Sequence, residues 1–503
     1  MLRCVLSLLL VALLIAAADG QARDDYYQEP FRPQFHFTPE RNWMNDPNGL
    51  VYYQGEYHLF YQYNPFGNDW GHMSWGHAVS TDLLHWQHLP VALAEENGVM
   101  IFSGSAVVDR NNTSGLCRNP DPKDKSCLIA IYTGHTEQNQ SQHIAVSNDR
   151  GRTWTKYAGN PVLDIGYRDF RDPKVIWHEA TKKWVMVVSL SREQKVRFYG
   201  SADLKKWELL SEFGGAGVAD KDVQWECPDL FALPVDGQPG KKKWVLIVNI
   251  NPGGVAGGSG GQYFIGSFDG RRFTNDNPPE RKMFLDYGRD FYAAVTFSDI
   301  PKSDGRRILI GWMSNWQYAG KEPTSPWRTA QSVPRVLSLK RFSDGLRLAQ
   351  QPVAELQRLR DRHFEKPEEV RGDALEIIAE FQTSTGRQPL IRLVSGPDAA
   401  TIIGYDAATE RLFIDRSRSG LVDFDPNFPG TREAPMKLRQ QRLKLRVLVD
   451  RSSVEIFSAD GQVAVTERIF PLNNLQTVEI VAAETQARCV AFDAWQLKSV
   501  WRK

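Results

Sequence analysis

The chain reads as all-β: a five-bladed β-propeller followed by a C-terminal β-sandwich. Three observations predict this. A Ser-x-Asp turn followed by an aromatic residue recurs at intervals of roughly 50–70 residues, a loose blade spacing for a propeller. Residues 364–503 hold several short runs that alternate apolar and polar side chains, the period of half-buried strands. A short helical pattern over residues 352–363 separates the two regions.

The elements follow in order. Val51 to Phe60 reads as two strands joined by a Gln54-Gly55 turn. The repeat then runs Ser80-Thr81-Asp82 to Trp86, Ser147-Asn148-Asp149 to Trp154, Ser201-Ala202-Asp203 to Trp207, and Ser267-Phe268-Asp269 to Phe273. Each copy is a strand end, a turn, and an aromatic residue opening the next strand. A fifth copy is expected at Ser338–Phe342 or just before it. Chance similarity among β-turns is the alternative to a repeat. Val353, Leu356 and Leu359 fall on one face of the linker helix, after a propeller over residues 21–351. Leu443–Asp450, Val454–Phe457 and the Asp460-Gly461 turn then suggest a sandwich.

The bounds agree. A chain of 503 residues suggests two or more domains with ample core. Lys and Arg total 61 against 60 for Asp and Glu, which argues against nucleic acid or an anionic membrane surface as partner. Fifteen Trp, 16 Tyr and 25 Phe serve a β-type core or sugar-stacking platforms. Residues 1–20 combine Arg3, an apolar run from Val5 to Ala18, and Asp19-Gly20, the pattern of a secretory signal. That run is too short to span a membrane. A secreted, soluble protein starting near Gln21 is expected.

Cys4 leaves with the signal. Cys117 and Cys127 bracket a polar loop, and an oxidising compartment would allow a bridge there. Cys227 reads as a buried thiol. Sequons stand at Asn111, Asn112 and Asn139. No Cys/His cluster has zinc spacing, and His72, His77, His85 and His88 form no metal motif, so neither metal nor cofactor is expected. The glycine-rich stretch 253–261 lacks a following Gly-Lys-Ser/Thr and reads as a blade loop.

Three acids carry the chemistry. Asp46 lies in Trp43-Met44-Asn45-Asp46-Pro47-Asn48-Gly49, Asp172 in Phe170-Arg171-Asp172-Pro173, and Glu226 in Trp225-Glu226-Cys227-Pro228-Asp229. Any single Asp-Pro is ordinary turn chemistry. Jointly, one acid each from blades 1, 3 and 4 would converge on the propeller axis. Cleavage of a glycosidic bond needs a carboxylate on one side and a protonated acid on the other. Asp46 suits the nucleophile, with Asn45 donating to it. Glu226 suits the acid/base, with Trp225 expected to raise its pKa. Arg171 is expected to keep Asp172 ionised, as an acceptor for sugar hydroxyls.

These blocks resemble glycoside hydrolase family 32, the β-fructofuranosidases (invertases, exo-inulinases and levanases). The seven-residue block at 43–49 matches the family's nucleophile motif in full, Arg171-Asp172-Pro173 its second motif and Glu226-Cys227 its third. Asp286–Ala293 looks like the same family, and Gly311–Tyr318 and Pro323–Arg328 look most like its exo-acting levanase and inulinase branch. The resemblance implies a retaining double displacement on terminal β-D-fructosyl units of sucrose, inulin or levan. Asp46 would be the nucleophile, Glu226 the acid/base and Asp172 the stabiliser. Trp43, Asn45, Gln62, Trp70, Phe102, Ser103, Arg171 and Trp316 would line the fructose site. A fructosyltransferase, a propeller lectin and an inverting arabinan-type hydrolase are the rival readings.

Overall fold

The structure is a computed structural model and describes residues 27–118, 123–383, 388–481 and 487–501. The expected signal segment and Cys4 lie outside the described residues.

Residues 42–352 form five antiparallel sheet units, the blades of a propeller. The inner strands are Asn42–Tyr53, Met100–Asp109, Phe170–His178, Gln224–Val235 and Tyr292–Thr296. Each unit then meanders outward through neighbouring antiparallel strands. Units 4 and 5 join into one sheet through a single parallel pairing, Val235 with Leu339. Unit 1 is closed onto unit 5 at both ends of its inner strand. Asn42 and Trp43 pair in parallel with Trp327 and Arg328. Further on, the Tyr52 N–H donates to the Ser298 carbonyl (3.0 Å) and the Ser298 N–H to that of Leu50 (2.8 Å).

The sequence repeat is a turn between the third and fourth strands of units 1 to 4. The Asp82, Asp149, Asp203 and Asp269 carboxylates each accept backbone N–H groups from two to four residues on, for example Leu84 and His85 at 3.0 and 2.9 Å. The residue after each Asp is left-handed: Leu83, Arg150, Leu204 and Gly270. The side-chain clamp holds a backbone that most L-residues avoid. The fifth copy differs from expectation. Ser338–Phe342 lies inside the strand Arg335–Phe342, and the turn of unit 5 is Ser343-Asp344, too short for the clamp.

The linker also differs. Its helix is a 3-10 stretch, Ala354–Leu359, and Arg360–Phe364 is a strand paired with Arg488–Leu497. Val353, Leu356 and Leu359 are buried against the propeller core. Their spacing is three, which is the 3-10 period and not the α period.

Beyond it, two six-stranded sheets face each other. Along Leu375–Gln382 the side chains of Leu375, Ile377, Ala379 and Phe381 enter the core between them. The sandwich meets the propeller through buried charge. Arg335 bonds Asp286 (2.8 Å) and Glu455 (2.6 Å). His36 sits between Asp450 (2.8 Å) and Glu455 (3.1 Å). Arg416 pairs with Asp290 and Glu467. Such pairs fix how two surfaces dock more than they add stability.

Cys117 and Cys127 form the expected disulfide, while Cys227 is a buried free thiol. Of the sequons, Asn111 is exposed. Asn112 is tied to Cys117 by its amide, and the Asn139 amide donates to Asp164 (2.9 Å). Among the described residues no helix is long and apolar enough to cross a membrane.

Candidate active site

All five inner strands carry a bulge at the same level. One extra residue is inserted between Met44 and Pro47, Phe102 and Gly104, Arg171 and Lys174, Glu226 and Asp229, and Tyr292 and Val295. A bulge breaks pairing and re-aims side chains. In units 3 and 4 a proline, Pro173 or Pro228, sits inside the bulge, where no ladder N–H is needed. Asp172, Cys227 and Ala293 occupy equivalent bulge positions and share a left-handed backbone, with φ of 68°, 43° and 51°. The residues just before them, Arg171, Glu226 and Tyr292, therefore form a row across three neighbouring strands.

That row is hydrogen bonded. Arg171 Nε donates to Glu226 Oε1 at 2.9 Å, and the Tyr292 hydroxyl donates to Glu226 Oε2. The rest of the Arg171 guanidinium is spent on Asp169 (3.0 Å), Gln140 (3.1 Å), Ser191 (2.8 Å) and Gln224 (2.8 Å). Asp46 is held by neutral donors: Asn45 Nδ2 (3.0 Å) on Oδ1 and Ser103 Oγ (2.7 Å) on Oδ2. Asn45 is oriented in turn by the Trp43 indole N–H (2.7 Å). Asp172 Oδ2 accepts the Cys227 N–H (2.8 Å), and its own N–H donates to Thr133 Oγ1 (2.9 Å). The Cys227 thiol reaches both Asp46 Oδ2 (3.5 Å) and Asp172 Oδ2 (3.7 Å). Three acids from three strands thus share one floor.

Crowding shapes their ionisation. Burial raises the Asp46 pKa, and the Glu226 charge adds to this against the pull of Asn45 and Ser103. Burial, then Glu226, also raises Asp172, and Arg171 and the Cys227 N–H do not offset it. Adjacency in sequence is misleading here, because Arg171 bonds Glu226 and not Asp172. The expectation that Arg171 holds Asp172 ionised is therefore corrected. Burial pushes the Cys227 thiol and the Tyr292 phenol well up, so both stay neutral donors. The expected contact of Trp225 with the Glu226 carboxyl is also absent. Trp225 turns into the blade core against Phe264, and its indole donates to the Val218 carbonyl (2.8 Å).

The aromatic rim is assembled from units 1, 2 and 5. Trp316 stacks on Trp43 (5.9 Å, 25°), which is fully buried behind it. Phe102 stacks on His135 (4.1 Å, 9°) and meets the half-exposed Trp70 edge-on (6.2 Å). Gln62 is buried, with its amide donating to the Ile101 carbonyl (2.9 Å). All eleven expected residues therefore lie on or next to the inner strands. Sequence reasoning missed Tyr292 and the bridging role of Cys227. The signal for Tyr292 was its place in a fifth bulged strand.

A propeller that gathers two differently solvated carboxylates and a third acid at its axis is the architecture of a glycoside hydrolase. The family model described as glycosyl hydrolases family 32 N-terminal domain matches residues 36–352, and the corresponding C-terminal model matches residues 344–496. The chain belongs to glycosyl hydrolase family 32. It is 51% identical to a levanase of Bacillus subtilis over 513 residues, covering 99% of this chain and 75% of that protein. It is 39% identical to an extracellular exo-inulinase of Aspergillus niger, covering 98% and 99%. Among solved structures, the exo-inulinase of Aspergillus awamori superposes with a TM-score of 0.86 at 38% identity, covering 94% of this chain and all of that one. A β-fructofuranosidase of Schwanniomyces occidentalis, complexed with fructosyl-erythritol, gives 0.85 at 35% identity, covering 94% and 98%.

Proposed function

We propose that the protein is a secreted, retaining exo-β-fructofuranosidase that releases fructose from the non-reducing ends of fructans and from sucrose. Relatives named levanase and exo-inulinase support the substrate class, and relatives named extracellular support secretion. The reading assigns catalysis to the propeller, residues 21–351, and no reacting group to the sandwich, residues 364–503. The partner is the fructoside itself, with no nucleic acid or membrane surface.

In this reading Asp46 attacks the anomeric C2 while Glu226 protonates the departing oxygen. The covalent fructosyl ester is then opened by water that Glu226 deprotonates. The buried, neutral donors around Asp46 leave its carboxylate nucleophilic once ionised. Glu226 is more exposed than Asp46, as the residue that meets both the leaving group and the incoming water must be. Asp172 accepts fructose hydroxyls and stabilises positive charge developing on the ring. Trp316, Trp70 and Phe102 form the walls, and Asn45, Gln62, Ser103 and Arg171 the polar floor.

The observation that carries the proposal is the convergence of Asp46 and Asp172 on the thiol of Cys227, the residue that follows Glu226 in its bulged strand. The test is turnover in methanol. Retention gives methyl β-D-fructofuranoside, and an α product would sink the double displacement. Product chromatography on inulin and levan should give free fructose from the first minutes, and early short oligomers would exclude exo action.

A further inference from the structure

The inner strands run past the carboxylates to a second mouth of the propeller. The bulges lie at residues 44–47, 102–104, 171–174 and 292–295. A separate cavity of about 410 Å³ is lined by Val107 and Val108, by Val175 to Trp177, and by Ser298 and Asp299. At about 3.3 Å per residue, its lining starts one to three residues past these bulges and three residues past Asp172, roughly 10 Å further along the strand from that acid. Its volume is that of a ligand site, not of a packing defect.

The lining has a particular chemistry. Trp177 supplies an aromatic wall, braced edge-on by Trp184 (5.1 Å) and fixed by its indole N–H on Glu179 (2.8 Å). Arg307 supplies guanidinium N–H groups. It donates to the Phe297 carbonyl (2.9 Å), and no carboxylate among the described residues ion-pairs with it. Lys302 is exposed at the rim, also without an ion pair among the described residues. Asp299 supplies acceptor oxygens and is itself held by the Val108 N–H (3.0 Å) and Arg110 (3.0 Å). The lining holds three acids, Asp109, Glu179 and Asp299, and three bases, Arg110, Lys302 and Arg307. Asp299 pairs with Arg110, and Glu179 with Lys182 outside the lining, which leaves Lys302 and Arg307 as the donors facing the cleft. Donors, acceptors and one flat apolar wall around a cleft suit a neutral ring with hydroxyls at its edges and a C–H face.

We propose that this cavity is a second, non-catalytic carbohydrate site that holds a distant part of a polymeric substrate. The sugar's identity as fructosyl units rests on the proposed function; the site itself does not. Anchoring a polymer at a second point raises its effective concentration at the first, and leaves a disaccharide unaffected. Asn111 stands at the rim, so a glycan there would narrow the entrance.

The test uses the full chain. In an Asp46→Asn background, expected to turn over at least about 10³-fold more slowly, a short inulin oligosaccharide is titrated by calorimetry. Two sites are expected, and adding Trp177→Ala should leave one. In the otherwise wild-type enzyme, Trp177→Ala should lower kcat/KM on polymeric inulin or levan by at least about threefold and leave sucrose hydrolysis unchanged. Lys302→Ala, an exposed substitution with little bearing on folding, should lower the polymer rate in the same direction. A one-site titration that Trp177→Ala does not alter would overturn the proposal. So would displacement of the oligosaccharide by millimolar inorganic phosphate, which would mark an anion site. Sucrose hydrolysis by the wild type reads the catalytic proposal separately.

Discussion

The Cys227 thiol lies 3.5 Å from Asp46 Oδ2 and 3.7 Å from Asp172 Oδ2, so one neutral donor serves carboxylates from two different strands. Cys227 has this position because its bulge gives it a left-handed backbone equivalent to that of Asp172 one blade earlier. Its thiol stays protonated, since burial and the two acids all oppose a thiolate. Loss of the donor leaves Asp46 with less to offset its burial. Cys227→Ala should therefore lower kcat by about tenfold, roughly 1.4 kcal/mol of barrier, and move the acid limb of the pH–rate profile upward. Cys227→Ser, which keeps a donor, should recover part of the loss. An unchanged acid limb in the alanine variant would remove the thiol from this role.

Asp46→Asn and Glu226→Gln should each lower kcat by at least about 10³, roughly 4 kcal/mol. The two should differ in character. The asparagine variant loses the nucleophile outright. The glutamine variant keeps one acceptor oxygen for Arg171, turns its amide NH2 toward the Tyr292 hydroxyl oxygen, and loses the proton donor. It should thus retain more activity on a fructoside whose leaving group needs no protonation, such as an aryl fructoside. Equal loss on sucrose and the aryl substrate would argue against Glu226 as the acid.

Much of this was legible because chemistry here follows short local rules. Asp46 and Asp172 directly precede a proline and Glu226 stands two residues before one, because bulges tolerate a residue without an N–H, and the turn repeat was visible because an aspartate clamp needs the same spacing each time. What misled was adjacency. Along a strand, neighbours point to opposite faces, so Trp225 enters the blade core while Glu226 faces the axis. Arg171 looked like the partner of Asp172, yet its guanidinium bonds Glu226, 55 residues away in sequence. The row Arg171, Glu226, Tyr292 depends on register between blades, which no local window contains. The apolar spacing of three before Arg360 marked a 3-10 turn, and pairing with the distant Arg488–Leu497 strand took the residues after it.

Asp172 links activity to stability. Its folded pKa is raised above the ordinary 3.8, so the folded state disfavours its charged form. The unfolded chain ionises first as pH rises. The penalty to folding therefore begins above pH 3.8 and is complete once pH passes the raised folded value. Asp172→Asn removes it. This variant should melt higher than the wild type near neutral pH, by about 1–2 kcal/mol of stability, and gain little at pH 4. It should also lose most activity. Equal melting temperatures across that range would show that the buried charge carries no such penalty.

His36 has the opposite sign and lies in the joint between the two domains. Burial alone would lower its pKa, but hydrogen bonds to Asp450 and Glu455 more than offset this and leave it raised above 6.5. The groups facing it are these two carboxylates and, through Glu455, the Arg335 guanidinium (2.6 Å). Glu455 Oε2 also accepts the Val333 N–H (3.2 Å), and Asp450 accepts the Gln34 and Phe35 N–H groups (2.7 and 3.0 Å). Because the folded value exceeds the unfolded one, the stabilisation is fully present below pH 6.5 and is lost as pH rises through the folded value. His36→Gln should destabilise by about 3 kcal/mol at pH 6, where it leaves Asp450 and Glu455 buried, with Arg335 paired to Glu455 alone of the two. The difference from the wild type should shrink at pH 9 and above. Thermal melts of both proteins across that range check it, and a gap that stays constant with pH would mean that His36 is neutral in the fold.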